Sequence, residues 1–144
     1  MSNQVLVEQV VPEEPGPVFA SWVSAESLAT WWWPHIPDTT YRFDTHAGGS
    51  YEILSKAAGI GVRGEILEIE EPSMLRFTWR WINDGIEEAE DRVHVTFTPR
   101  VGDTLVTVRH EPAATTGEPD GIRQGWEDVL ARLAEIHTRA ESKS

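Results

Sequence analysis

Met74-Leu75-Arg76-Phe77-Thr78-Trp79-Arg80-Trp81-Ile82 decides the fold class. Side chains in a strand alternate between the two faces of a sheet. Leu75, Phe77, Trp79 and Trp81 therefore share one face, and Arg76, Thr78 and Arg80 share the other. An aromatic row backed by an arginine row describes a sheet with one covered face and one wet face. The flanking segments repeat the pattern. Residues 40–45, 50–56, 62–70, 92–98 and 104–110 alternate, or are rich in β-branched and aromatic types. Ala47-Gly48-Gly49, Gly59-Ile60-Gly61, Glu71-Pro72-Ser73, Asn83-Asp84-Gly85 and Val101-Gly102-Asp103 separate them with turn chemistry. Connections this short join antiparallel neighbours.

Helical segments flank these strands. Residues 4–11 read as one more strand, closed by Pro12. Glu13-Glu14-Pro15 opens a helix with Val18, Phe19 and Trp22 on one stripe. Ser24 reads as the N-cap of a second short helix that runs to about Trp32 and is stopped by Pro34 and Pro37. From near Glu118 to Ala140, Ile122, Trp126, Val129, Leu130, Leu133 and Ile136 or His137 fall on one helix face. Acids lie early in that segment and bases late, as the helix dipole favours. The order predicts one α+β domain over residues 1–144: a curved antiparallel sheet, two short helices, and a long C-terminal helix laid over the sheet. This is a helix-grip arrangement. A cavity of roughly 300–1,000 Å³ is expected between sheet and helix, mostly apolar with polar groups at one end.

Parity places Val93, Val95 and Phe97 inward, and Val106, Val108 and His110 likewise. With Leu67 and Ile69 taken as inward, strict alternation carries Gly61, Arg63 and Glu65 to the same side. Charges in an aromatic interior must pair with each other or anchor a ligand, and both readings stand at this level. Successive positions on a helix point about 100° apart, so Trp31-Trp32-Trp33 cannot share one face. At least one ring must pack at the rim or reach solvent, a ligand or a partner. Glu87-Glu88-Ala89-Glu90-Asp91 lacks the loop glycine of a calcium site and reads as a solvated, metal-free hairpin tip.

Composition excludes several function classes. A net charge of −12 opposes a phosphate backbone and an anionic membrane surface alike. The absence of cysteine removes disulfides and thiolate chemistry. No apolar run approaches ~18 residues, and the first basic residue is Arg42, so a cytoplasmic protein without membrane insertion is expected. The histidines form no H-x-x-x-H pair, no G-x-S-x-G elbow exists, and Gly59-Ile60-Gly61 lies between strands rather than before a helix. No metal and no cofactor are expected, and no catalytic set is assigned.

A colinear set of short motifs runs through the chain: Val11-Pro12, Val18-Phe19, Leu28-Ala29-Thr30-Trp31-Trp32, Pro34, Asp44, Gly48-Gly49-Ser50-Tyr51 and Gly64-Glu65-Ile66-Leu67-Glu68-Ile69. Pro72, Leu75, Phe77-Thr78-Trp79, Phe97-Thr98-Pro99, Gly102-Asp103-Thr104, His110, Gly125-Trp126, Leu130 and Leu133 complete it. In this order they resemble the family named for the activator of the heat-shock protein 90 ATPase, within the START/Bet v 1-like (SRPBCC) superfamily. The resemblance covers nearly the whole chain. It implies a helix-grip fold with an internal cavity, and it implies no single activity. Members of the superfamily bind lipids, sterols, polyketides and hormones, and some are cyclases or hydrolases. Trp33 stands where many relatives have glycine, and His46 where many have arginine, both near the expected cavity mouth.

The expected function is a small soluble protein that holds a hydrophobic, apolar or aromatic small molecule in the sheet–helix cavity. Trp33, Tyr51, Arg63, Glu65, Phe77, Trp79, Trp81, His110, Trp126 and Leu130 are the expected lining. One alternative is a cyclase- or hydrolase-type enzyme using the same cavity. The other is a chaperone-interacting, stress-response protein acting through its surface. A chaperone or a second copy of the chain is then the partner.

Overall fold

The computed structural model describes residues 5–33, 36–44, 46–87, 90–111 and 119–142, with side chains of the last helix described over 123–137. Its elements are β1 (Val5–Val11), α1 (Pro15–Ala20), α2 (Ala25–Trp31), β2 (Thr39–Phe43), β3 (Ser50–Ser55), β4 (Ile60–Glu70), β5 (Met74–Asn83), β6 (Ile86–Glu87), β7 (Asp91–Arg100), β8 (Asp103–Glu111) and α3 (Pro119–Ser142). The strands form one curved antiparallel sheet in the order β1-β8-β7-β5-β4-β3-β2, with the two-residue β6 paired to β5. α3 lies over this sheet, so the helix-grip, α+β expectation holds. The expected bounds shift at several ends: β4 begins at Ile60 and β7 at Asp91. Gln4, Pro34, Thr45, Glu118 and the side chain of Ile122 lie outside the described residues. Among the described residues no helix is long and apolar enough to cross a membrane.

Local chemistry sets the corners. Asp84 and Gly85 both take positive φ, 51° and 78°, and join Asn83 to its partner Ile86. That is a two-residue type I′ turn, which the Asp-Gly pair favours and which matches the twist of the hairpin. Ser24 caps α2 by accepting the Ser27 amide at 3.4 Å.

The inner face carries the core. Tyr51, Ile53, Val62, Ile66, Leu75, Phe77, Val93, Val95, Phe97, Val106 and Val108 are buried along the strands. Phe19, Leu28 and Trp31 cover them from the first two helices, and Trp126, Val129, Leu130 and Leu133 from α3. Each such burial stabilises the fold by about 1.5–3 kcal/mol relative to exposure.

β4 departs from strict alternation. Ile66 pairs with Phe77, but Glu68 pairs with Arg76, so Leu67 is one residue more than its partner strand matches. This is a β-bulge, and an inserted residue resets which face each side chain takes. Val62 and Ile66 point inward before the bulge, Ile69 packs against the core after it, and Leu67 is 38% exposed. Counting back from Ile69 across the bulge therefore misplaces three residues. Gly61, Arg63 and Glu65 lie on the outer face. Gly61 pairs with Leu54 and Ile82, and a Cβ there would meet Leu54 Cδ1 at 2.7 Å. Arg63 reaches Glu52 at 3.3 Å and Glu87 at 3.5 Å, and Glu65 is exposed. Near the bulge β4 and β5 approach so closely that a Cβ on Gly64 would sit 2.0 Å from the Thr78 carbonyl oxygen. Glycine is required there by contact, not by φ.

Polar contacts fix α3 as well. Arg123 Nη1 donates to the Leu6 carbonyl of β1 at 2.8 Å. Ser21 Oγ donates to the Pro17 carbonyl at 3.1 Å and lies 3.0 Å from His137 Nε2, which leaves Ser21 to accept from that nitrogen. Burial holds His137 below the ordinary imidazole value, against a weaker opposing pull from Glu13.

Two expectations follow. Gly64→Ala should lower stability by about 3 kcal/mol, the upper end of overpacking, read as a fall in the urea midpoint at unchanged slope. His137 binds fewer protons in the folded chain than in the unfolded one. Its contribution is therefore complete above the unfolded imidazole value and is lost as pH falls through the lowered folded value. Urea melts across about pH 5–8 should show a shallower acid-side loss in His137→Gln than in the parent.

Candidate functional site

β5 sends Trp79 to the inner face, where rings from three other segments meet it. Trp126 of α3 lies 5.2 Å from Trp79 between ring centroids, and Trp32, just past α2, lies 5.9 Å from it. Trp126 stacks on Trp22 at 6.0 Å and meets Trp32 edge-on at 5.4 Å. Trp33 meets Trp81 edge-on at 5.8 Å. Offset and edge-to-face pairs in this distance range are the favourable ring geometries.

A polar chain runs under the cluster. Trp126 Nε1 donates to His110 Nδ1 at 3.0 Å, and His110 Nε2 faces Asp91 Oδ2 at 2.8 Å. An indole N–H can only donate, so Nδ1 carries no proton and Nε2 donates to the carboxylate. His110 is 1% exposed and also meets Trp79 edge-on at 5.3 Å. Both of its ring nitrogens are engaged, so proton exchange with a ligand at this histidine requires Trp126 or Asp91 to move aside first.

Two small cavities flank Trp32 and Trp79. One, of about 20 Å³, is walled by Trp22, Trp32, Tyr51, Phe77 and Trp79 among others. The second, of about 50 Å³, is lined by Trp32, Trp33, Trp79, Gly125, Trp126 and Val129. The first has room for about one water and the second for a few. Each of these two described cavities is smaller than the expected ~300–1,000 Å³, and indole rings are prominent in their walls. The indole nitrogens of Trp22 and Trp32 are buried without a hydrogen-bond partner. Each unmet buried donor costs about 1–3 kcal/mol.

The segment that carries Trp32 and Trp33 is held in an unusual conformation. Trp33 has φ 53°, in the left-handed region that favours glycine. The Tyr41 hydroxyl donates to the Trp32 carbonyl and pins the segment to β2. On α3, nothing lies within 4 Å of the Cβ position of Gly125, so the second cavity has open space on its helix side.

The family model for activator of Hsp90 ATPase homolog 1-like proteins (AHSA1) matches residues 13–138. The chain belongs to the AHSA1 family. Among solved structures, the AHSA1-like protein of Aeromonas hydrophila is 22% identical, with a TM-score of 0.73 over 98% of this chain and 95% of its own. MLL2253 of Mesorhizobium loti is 19% identical, with a TM-score of 0.80 over 94% of this chain and 97% of its own. DynU16, a protein of the dynemicin biosynthetic locus, is 23% identical at a TM-score of 0.79. The match covers 94% of this chain but only 47% of DynU16, so the chain spans about half of that relative's length. At these identities the likeness is one of fold. A search of curated proteins found no match.

Of the residues expected to line the site, Trp33, Tyr51, Phe77, Trp79, Trp81, His110, Trp126 and Leu130 lie on the inner side of this AHSA1-like fold, buried or half-buried. Arg63 and Glu65 lie on the other face, for the reason the bulge supplies. The Tyr51 hydroxyl donates to the Thr78 carbonyl at 2.6 Å, and burial raises its pKa well above the ordinary phenol value. His46 is exposed in the loop after β2, over Gly49.

The acidic run does not act as one tip. Glu88 and Ala89 lie outside the described residues, while Glu87 pairs with Arg63 and Glu90 with Arg80. Asp91 begins β7 and turns inward to His110. Its parity with Val93, Val95 and Phe97 is a signal for that placement which a strand begun at Arg92 conceals. Trp22 carried no separate signal, because it fits an ordinary helix stripe with Val18 and Phe19, and the Trp31-Trp32-Trp33 run did not single out Trp32 among its three rings.

The left-handed turn at Trp33 gives a test with an inverted sign. Trp33→Gly and Trp33→Ala both remove the ring, yet the glycine variant should be the more stable by about 1 kcal/mol, since the left-handed cost disappears with the Cβ. Paired denaturant melts measure the difference, and an alanine variant that is the more stable contradicts the assigned backbone.

Proposed function

We propose that this AHSA1-like protein binds a small, flat apolar molecule carrying a hydrogen-bond acceptor, between the sheet and α3. The observation that carries the reading is the pair of buried, unpartnered indole N–H groups on Trp22 and Trp32, two residues whose ring carbons wall the same apolar cavity, so that a turn of either ring brings its N–H to face it. A carbonyl or ether oxygen on the ligand supplies the acceptor that the protein lacks, and aromatic walls supply the contact area. Trp32 and Trp79 border both cavities, so a turn of the Trp32 ring is the movement that would join them. Trp33, Phe77, Trp79 and Trp126 then form the walls, and Gly125 the opening. That DynU16 belongs to a natural-product locus is consistent with handling such a molecule.

The two alternatives draw less support. An enzyme using His110 must first free Nδ1 from Trp126 or Nε2 from Asp91. A surface-acting protein needs a continuous apolar patch, whereas the exposed large apolar residues described, Leu6, Val10, Leu67, Ile86 and Val101, are spread over β1, β4, β6 and a hairpin tip. Glu8 stands between Leu6 and Val10 along β1.

Two neutral fluorescent probes test the reading. The ketone-bearing dye 6-propionyl-2-dimethylaminonaphthalene and the acceptor-poor N-phenyl-1-naphthylamine should both bind native protein and quench tryptophan emission. Trp32→Phe keeps a ring and removes the donor, so it should weaken the ketone dye about fivefold and leave the other nearly unchanged. Gly125→Leu should block both while circular dichroism stays native. Binding only to denatured protein, or equal loss of both dyes in Trp32→Phe, overturns the proposal.

A further inference from the structure

The outer face of the sheet carries a concavity of about 140 Å³, larger than the two inner cavities described. Its basic side chains come from three neighbouring strands: Arg76 from β5, Arg92 and His94 from β7, and Arg109 from β8. Register places Arg76 opposite His94, and His94 opposite Arg109, so these three form one row across the sheet. Arg92 stands two residues from His94 on the same strand face. Leu67, turned outward by the bulge, supplies an apolar wall, and Glu111 also lines the concavity.

This concentration of cations runs against the charge of the molecule, which is −12. Arg76 is paired with Glu68. Among the described residues no carboxylate lies within ion-pair distance of Arg92 or Arg109. Glu111 stands opposite Arg92 in the register, whereas Arg109 has only His94 and Leu6 as its cross-strand neighbours; like charges on adjacent strands destabilise a sheet unless something answers them.

We propose that this concavity binds the phosphate-type oxyanion of a small soluble molecule. Guanidinium forks arriving from three strands can each take different oxygens of a tetrahedral anion, whereas one carboxylate is satisfied by a single fork. The volume is roughly ten times what one water requires, enough for the anion and part of what it is attached to. The site lies on the opposite face of the sheet from the aromatic cavities and does not depend on the reading given to them.

His94 couples the site to pH. Burial first, and then the guanidiniums of Arg76 and Arg109, hold it below the ordinary imidazole value, while Glu68 and Glu111 pull the other way. Arg92 of its own strand completes the charged groups lining this face. A bound dianion favours the imidazolium, so binding tightens as pH falls through the histidine range.

The test is a two-dimensional NMR titration of the full chain with sodium sulfate, inorganic phosphate and glycerol phosphate, at ionic strength held constant with sodium chloride. Saturating shifts should centre on Arg76, Arg92, His94 and Arg109. Arg92→Ala and Arg109→Ala should each weaken binding about tenfold, and Arg42→Ala, which removes the same charge elsewhere on the sheet, should not. Linear, unsaturating shifts, or equal loss in Arg42→Ala, overturn the site. Co-sedimentation with phosphatidic acid vesicles overturns the soluble source in favour of a lipid headgroup. Sulfate keeps its charge between about pH 7.5 and 5.5, so its affinity should rise over that range in the parent and stay flat in His94→Gln. A rise that survives in His94→Gln overturns the coupling.

Discussion

The indole of Trp126 is the contact on which the arrangement of layers depends. Apolar burial alone has no direction, and a helix held only by it can slide or rotate over a sheet. Trp126 adds direction. Its N–H must reach an acceptor, and the one it reaches is His110 Nδ1, on the strand beside β1. That bond sets the histidine tautomer, and the tautomer in turn aims the Nε2 proton at Asp91. The ring itself touches Trp22, Trp32 and Trp79, so one side chain ties α3 to the sheet and to the segments around α2. Removing it would loosen all three together.

The same ring helps to wall the second of the two described cavities. A helix-grip fold leaves a gap between sheet and helix, and here large rings wall the two cavities described. Indoles pack well edge-on, but a cluster of them supplies more N–H donors than acceptors. Trp126 and Trp31 find partners in His110 and the Ser21 carbonyl, whereas Trp22 and Trp32 do not. The filling is therefore apolar in shape and unbalanced in hydrogen bonding. The imbalance sits at the two rings nearest the first cavity.

The architecture was readable because strand parity and helix stripes are repeated many times over the chain. Leu75 and Phe77, or Val93, Val95 and Phe97, each point the same way, and the errors cancel. Parity failed at β4, where one extra residue at Leu67 moved Arg63 and Glu65 to the outer face. Nothing in the residue types there announces a bulge; it shows only in the register, between Ile66 and Glu68. Asp91 was hidden by its neighbours, since an acid beside other acids reads as solvent-exposed. The amount of open space was not legible at all. It depends on ring orientations, which a list of aromatic residues does not contain.

Arg123 has a bearing on how the molecule meets its own copies. β1 ends the sheet on one side, and a terminal strand offers backbone groups to any strand that can align with it. Here the Leu6 carbonyl is already taken by a guanidinium from α3. An incoming strand would have to displace that cation, and so disturb the helix that closes the core, before it could add to the ladder. The last helix thus guards the edge of the sheet as well as its face, and sheet-to-sheet pairing through β1 is resisted by the fold's own closing element.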